Sequence, residues 1–535
     1  MKRTLILFYV LIIGLSMSFA QKSGKPLRVE IQVDNYSDYH YIAPVSDNGV
    51  VLISKSDQYS KKKDFWIFTK YNTDFKKEWS QKFPVDPGHD SLEYYYSKNM
   101  LYVFFNDNQL GESYVDIVKV NLTNNNIEDI NVSFKPKTRL KFFKVLGDYA
   151  LIAGNTMPTN LQVCGQLCLT MACLPILLGV STFKMKPVIV IVDLSSKKKK
   201  VIIPELKRHS KVVSADVNDE AEVMNVVINS KRQPSVFGKD ESFTIIKEYS
   251  DRGELNSTLK LKSSSSKDLI DGKLMQVDEN EKIFIGTYSK IVGNKKRSSG
   301  MAHGMCFSKI IDNKQDFIKY YDFTDFKNFY KTVIGSHIKK KINRKKSKGK
   351  EVAIGYRLLI HDDVIIQNNE YIIVAEAYYP EYHYVYYTDG NGNRQSRQVF
   401  DGYRYTHAVI AAFDKDGELL WDNVFEIMNI RYIFNLREKV KVLRDSEDDE
   451  VVLVYNYGGY LHSKVIEGAH VIERKKETKI KTKSSKDEVK WSDHDDIDYW
   501  YDNYFISWGY QTIKNQGKKK QKRRKVFYFT KIEYN

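Results

Sequence analysis

Glu376 stands inside the run Ile372-Ile-Val-Ala-Glu-Ala-Tyr-Tyr379, the one carboxylate that the local pattern places in a core. Burial disfavours the ionised form, so a carboxyl there gains a raised pKa and suits general-acid chemistry. The commoner outcome is a structural ion pair with a neighbouring Arg or Lys. A second concentration of chemistry lies just downstream. Tyr382, Tyr384 and Tyr386 alternate along one arm of the segment 378–405, and Tyr403 and Tyr405 return on the other. Aromatic faces carrying a hydroxyl suit sugar rings or peptide segments, because they offer stacking area at low entropic cost. These five tyrosines are the expected ligand-binding residues.

Metal and nucleophile chemistry find little support. Asp389, Asn391 and Asn393 alternate like the start of a calcium loop, but Arg394 and Phe400 occupy the positions that want Gly and Glu. A glycine-rich turn is expected there. The acidic run Asp493-His494-Asp495-Asp496 has metal-binding side chains and reads as a polar turn before Tyr499. The eleven His residues form no HxH or HExxH pattern, and no nucleophile elbow occurs. Cys164, Cys168 and Cys173 lie together, while Cys306 stands alone. One bridge within that cluster and buried free thiols both remain open, and no CxxC spacing suggests zinc. No catalytic residue, metal or cofactor is expected.

The 535 residues carry 84 Lys plus Arg against 67 Asp plus Glu, a net charge of +17. Such a surplus could draw polyanions, although most charge runs are simply solvated. The basic stretch Lys518–Lys525 is the candidate polyanion contact, and nothing points to a specific nucleic acid. Lys2 and Arg3, the apolar stretch Leu5–Leu15, and small residues Ser18 and Ala20 read as a secretory leader cleaved after residue 20. The expected location is therefore periplasmic, cell-surface or extracellular. Leu161–Phe183 is apolar and uncharged over 23 residues. Its position within one hairpin argues for a loop over the body, or a docking surface for a partner or membrane, rather than a span.

These side chains need elements to hold them, and the elements recur. Arg357 to Ile427 parses into four β-rich runs, the second nearly all apolar and the third ending in Asp414-Lys-Asp-Gly417. The same order returns from residue 40 to the C-terminus in eight units, the last lacking a fourth strand. Pro26–Val33 is a spare alternating strand that would complete it and remove an open edge. The expectation is an all-β chain: one β-propeller over 21–535 with eight four-stranded blades, the N-terminal strand closing the last. A degenerate seventh unit leaves seven blades open. The segment 325–350 carries apolar residues at helical spacing, Phe326 to Ile342, before a lysine-rich end. It is expected to be one inserted amphipathic helix.

Ala412-Phe-Asp-Lys-Asp-Gly-Glu-Leu-Leu-Trp421 and its echo Tyr71-Asn-Thr-Asp-Phe-Lys-Lys-Glu-Trp79 resemble quinoprotein-like (PQQ-type) propeller repeats. That resemblance implies the fold and, with Trp in only two units, no pyrroloquinoline quinone. The chain as a whole resembles exported bacterial β-propeller proteins. The expected function is non-catalytic binding of a protein or glycan partner. The alternatives are a propeller hydrolase or lyase acting on an extracellular polymer, and a polyanion-binding surface protein.

Overall fold

The structure is a computed structural model. It describes residues 19–20 and 26–534 apart from 35–38, 61–62, 88, 108–111, 158–183, 207–208, 232–241, 291–300, 351, 353, 368, 389, 391, 429, 433–435, 445–448 and 516–522. Residues 1–18 of the expected leader and the whole of the apolar insertion 161–183, with Cys164, Cys168 and Cys173, lie outside the described residues.

Eight antiparallel sheets follow one another along the chain, each built on four strands in sequence order. Their first strands stand side by side, so they form the inner ring and line a central channel. Apolar side chains alternate toward the two sheet faces and meet those of the next blade. The result is eight separate hydrophobic clusters, one in each gap between consecutive blades. The eighth packs Ile42, Val50 and Leu52 of blade 1 against Ile506, Phe527 and Phe529 of blade 8. That cluster closes the ring.

Closure uses the spare strand. Arg28–Gln32 pairs antiparallel with Arg523–Tyr534, Arg28 opposite Thr530 and Gln32 opposite Val526. Arg28 is buried, donates to Glu30 at 2.9 Å and Gln511 at 2.8 Å, and lies 4.0 Å from the Tyr528 ring centroid. Phe19–Ala20, the end of the expected leader, also pairs with Glu533 and Tyr534.

The turn between third and fourth strands repeats with the same chemistry. Asp414 accepts from the amides of Asp416 and Glu418, and Gly417 takes φ +73. Asn72 does the same for Asp74 and Lys76 in blade 1, with Phe75 at φ +58. Asn121 and Asp193 cap the corresponding turns of blades 2 and 3.

Three boundaries differ from the sequence reading. In blade 7 the sequence Lys464–Lys476 reads as one strand, but the third strand is Tyr460–Glu467 and the fourth His470–Lys479, because Gly468 at φ +54 makes the turn inside that run. The segment 325–350 forms two helices, α1 (Lys327–Thr332) and α2 (Ser336–Lys346), rather than one. Gly335 breaks the run, so Phe326, Phe329 and Ile342 reach the core while Ile338 stays exposed. Asp493–Asp496 is no turn: it lies within the inner strand Glu488–Tyr501 as a bulge.

Candidate functional site on the upper face and in the channel

Because all inner strands run in one direction, connectivity sorts the loops. First-to-second and third-to-fourth turns fall on one face, here the lower. Second-to-third hairpins and blade-to-blade connections fall on the other, the upper. The helices, the tyrosine hairpin, and the strand ends flanking 158–183 and 516–522 therefore all lie on the upper face.

The tyrosine hairpin is the longest ladder in the molecule. Glu370–Thr388 pairs with Arg394–Phe413, and bulges at Ala377/Tyr378 and Glu381/Tyr382 divide a buried base from a projecting arm. Ring contacts climb the base from Tyr405 to Tyr378, Tyr403, Phe400 and Tyr382 at centroid distances of 5.0 to 6.3 Å. Beyond that point both faces meet solvent. Tyr382, Tyr384 and Tyr386 are exposed on one, at 47, 59 and 76%, and Tyr387 on the other at 49%. Tyr403 is half-buried and Tyr405 is fully buried, with its hydroxyl donating to the Arg437 carbonyl at 2.8 Å. Tyr405 anchors the arm and has no face to offer a ligand.

The channel holds charged residues from almost every blade. The inner strands of blades 3, 4 and 5 bulge at Leu140/Phe142, Val212/Ser214 and Leu269/Asp271. A bulge bends the strand and re-aims its side chains. Gly154 and Gly286 face two of these bulges, and a Cβ there would meet the Arg139 or Asp271 carbonyl oxygen at 2.3 or 2.4 Å. In blade 6 the inner strand breaks between Ile360 and Ile365, which sets Asp362 into the channel. Asp362 pairs with Lys273 of blade 5 and lies 3.8 Å from Lys144 of blade 3. Tyr94 of blade 2 donates to Asp498 of blade 8 at 2.9 Å. The Lys144–Asp362 and Tyr94–Asp498 contacts join non-adjacent blades, so side chains bridge the channel.

Enclosure sets the protonation of this belt. Glu93 keeps contact with water, yet the channel walls raise its pKa to about 7, with Asp362 adding to the rise and Lys144 opposing it. Burial also acts against the Asp362 carboxylate, but Lys273 and Lys144 outweigh it and hold that pKa below its ordinary value. Lys439, buried beside Asp496 at 3.6 Å, is pushed down to about 8, chiefly by burial.

Glu376 is fully buried, and its partners are neither Arg nor Lys side chains. It accepts from His361 Nε2 at 2.8 Å, from the Lys439 amide at 2.8 and 3.1 Å, and from the Val440 amide at 2.8 Å. Burial opposes a protonated His361, but Glu438 and Glu376 outweigh it and raise its pKa. Glu376 thus clamps blade 6 to blade 7 and positions the segment that presents Glu438, Lys439 and Lys441 to the channel. It does not reach the channel itself.

No protein-family model matches the chain, and no curated protein matches its sequence. Among solved structures it is similar to polysaccharide lyase Uly1, at 7% identity and TM-score 0.40, covering 94% of this chain and 100% of that one. It is also similar to the WD40 domain of SCAP from fission yeast, at 8% identity and TM-score 0.37, covering 95% and 97%. A third is the Nup133 β-propeller domain of Vanderwaltozyma polyspora, at 10% identity and TM-score 0.33, covering 89% and 99%. Likeness at this level carries no argument about function. The fold rests on the eight sheets themselves.

Other expected features separate. Asn393 is exposed, and Asp389 and Asn391 lie outside the described residues. No group of three or more His, Cys, Asp or Glu able to hold a metal ion occurs among the described residues. Asp495 accepts from Ser492 at 2.6 Å and the Gly459 amide at 3.1 Å, and burial lifts its pKa to about 6. In the basic stretch, Lys518–Lys520 lie outside the described residues, and Arg524 is committed to Glu30 and Asp487 at 2.9 and 2.5 Å. Among the described residues no helix is long and apolar enough to cross a membrane. The channel charges escaped the sequence reading, although a lone Gly within three of the apolar second strands (Gly154, Gly286, Gly509) signals an inner-strand bulge.

Proposed function

We propose that this protein is an exported, non-catalytic binding module that captures a glycan or protein partner on the upper face of its propeller. The observation that carries this reading is the projecting arm. It exposes Tyr382, Tyr384 and Tyr386 on one face and Tyr387 on the other, far more aromatic surface than a solvated hairpin needs. The leader-like first twenty residues support export to the periplasm, cell surface or medium. The quinoprotein-like repeats contribute architecture in this reading, with no quinone.

Each accessible aromatic contributes about 0.5–1.5 kcal/mol beyond area burial. The variant Tyr382→Ala/Tyr384→Ala/Tyr386→Ala is expected to weaken capture on a glycan array or in surface extracts by roughly ten- to a thousand-fold. Its melting temperature should stay at the wild-type value. Unchanged capture would refute the reading, and an unfolded variant would make the tyrosines structural.

A second reading is a hydrolase or lyase, favoured by Glu93 with its pKa near 7 beside the ionised Asp362 in a water-reaching channel. It expects chain cleavage of an extracellular polysaccharide, measured by viscosity loss, that Glu93→Gln abolishes. No cleavage by the wild type across a polysaccharide panel removes it.

A further inference from the structure

Arg139 and Lys141 of blade 3 and Lys211 of blade 4 stand on the upper halves of adjacent inner strands. None has a carboxylate within ion-pair distance among the described residues, in contrast to Lys144 and Lys273 lower in the channel. Asp271 of blade 5 lies within electrostatic reach of both Lys141 and Lys211. Arg139 and Lys141 are exposed and Lys211 is half-buried; three cations on neighbouring strands repel one another, and an anion entering from solvent relieves that repulsion. Lys141 shows the effect: burial first, then Lys211 and Arg139, lower its pKa.

The three cations and the arm lie on the same, upper face of the ring. Tyr378, at the foot of the aromatic ladder, pairs with Arg357 in the sheet and lies within electrostatic reach of Asp271. Ring contacts then lead outward through Tyr403 and Phe400 to Tyr382. A ligand lying across the upper face from the exposed rings of the arm to the channel mouth meets aromatic faces first and cations next. A uronate unit answers both, since it joins a sugar ring that stacks to a carboxylate that pairs with lysine.

Resting on the capture reading above, we propose that Arg139, Lys141 and Lys211 form an anion-binding vestibule for the carboxylates of an acidic polysaccharide held by the tyrosine arm.

The test uses the full mature chain with polygalacturonate, alginate, neutral dextran and poly-glutamate as probes, titrated calorimetrically at low and at moderate salt. The wild type is expected to bind one of the two uronans, with affinity falling as salt rises. Lys141→Gln/Lys211→Gln should weaken that binding about tenfold or more per lost contact and flatten its salt dependence. Its melting temperature should not fall, because the change removes repulsion. Proton uptake on binding at alkaline pH should also disappear, as the anion no longer restores a suppressed Lys141 charge. Failure of the wild type to bind either uronan overturns the vestibule, and so does a double variant that binds like the wild type. Tighter binding of poly-glutamate through the same lysines replaces the polysaccharide with an acidic peptide and overturns the assignment. If the arm variant still binds uronan while the lysine variant does not, the arm reading fails and the vestibule stands.

Discussion

Replacing Glu376 by Gln keeps the shape of the side chain and removes its charge. Three donors converge on the two carboxylate oxygens: His361 Nε2 and the amides of Lys439 and Val440, with four contacts between 2.8 and 3.1 Å. An amide has one acceptor oxygen, so its NH2 must turn toward a donor. Losing charge assistance costs about 1.5–3 kcal/mol, and stranding a buried donor about 1–3 kcal/mol. The two costs overlap, and a destabilisation of about 3 kcal/mol is expected, roughly 150-fold in the folding equilibrium. Urea unfolding followed by tryptophan fluorescence measures it, at pH 6 and pH 9. The folded-state pKa of His361 is raised above its ordinary 6.5. Its stabilising contribution is therefore complete below 6.5 and fades as pH rises through the higher folded value. The gap between wild type and variant should be widest at pH 6 and narrower at pH 9. A gap under about 0.5 kcal/mol at pH 6, within the range of an ordinary surface substitution, would refute the clamp. A variant of wild-type stability that lost polymer cleavage would restore the general-acid reading.

Two further outcomes follow from the ring. Deleting residues 21–34 removes the strand opposite Val526–Thr530 and uncovers an edge, so the truncated chain should aggregate on size-exclusion chromatography; a monomer with unchanged melting temperature would refute closure. Gly154→Ala drives a Cβ to 2.3 Å from the Arg139 carbonyl oxygen and 2.9 Å from Leu140 Cα, and should cost about 1–3 kcal/mol in urea unfolding, whereas a neutral outcome would mean that the blade 3 bulge yields.

The ring was legible because its signals are local and repeated. An apolar second strand, an Asx-capped turn after the third, and a spare N-terminal strand each follow from short-range chemistry that the chain states several times. Where one such signal was misread, a single residue was responsible. Gly468 looks like the interior of a strand until its positive φ is known, and Gly335 lies within a helical pattern that its flexibility interrupts. The tyrosine arm was legible as a departure from the repeat. The burial of Tyr405 was not, since it depends on the Arg437 segment arriving from the next blade connection.

The channel was hidden for a different reason. Its charges are scattered Lys, Asp and Glu residues on short inner strands or in the segments beside them, where local pattern predicts only a solvated position. Lys144 and Asp362 are more than two hundred residues apart and come together because blades 3 and 6 face one another across a closed ring. No window of sequence contains that relation. The second-strand glycines carry a trace of it, since Gly154 and Gly286 are needed only if the inner strand presses close enough to bulge. Glu376 carries another, because an acid in an apolar strand must find donors, and it finds them in the backbone that leads into blade 7. The same closure that brings opposite charges together low in the channel leaves Arg139, Lys141 and Lys211 higher up without an ion-pair acid among the described residues. The cost of that imbalance is what an incoming anion would relieve.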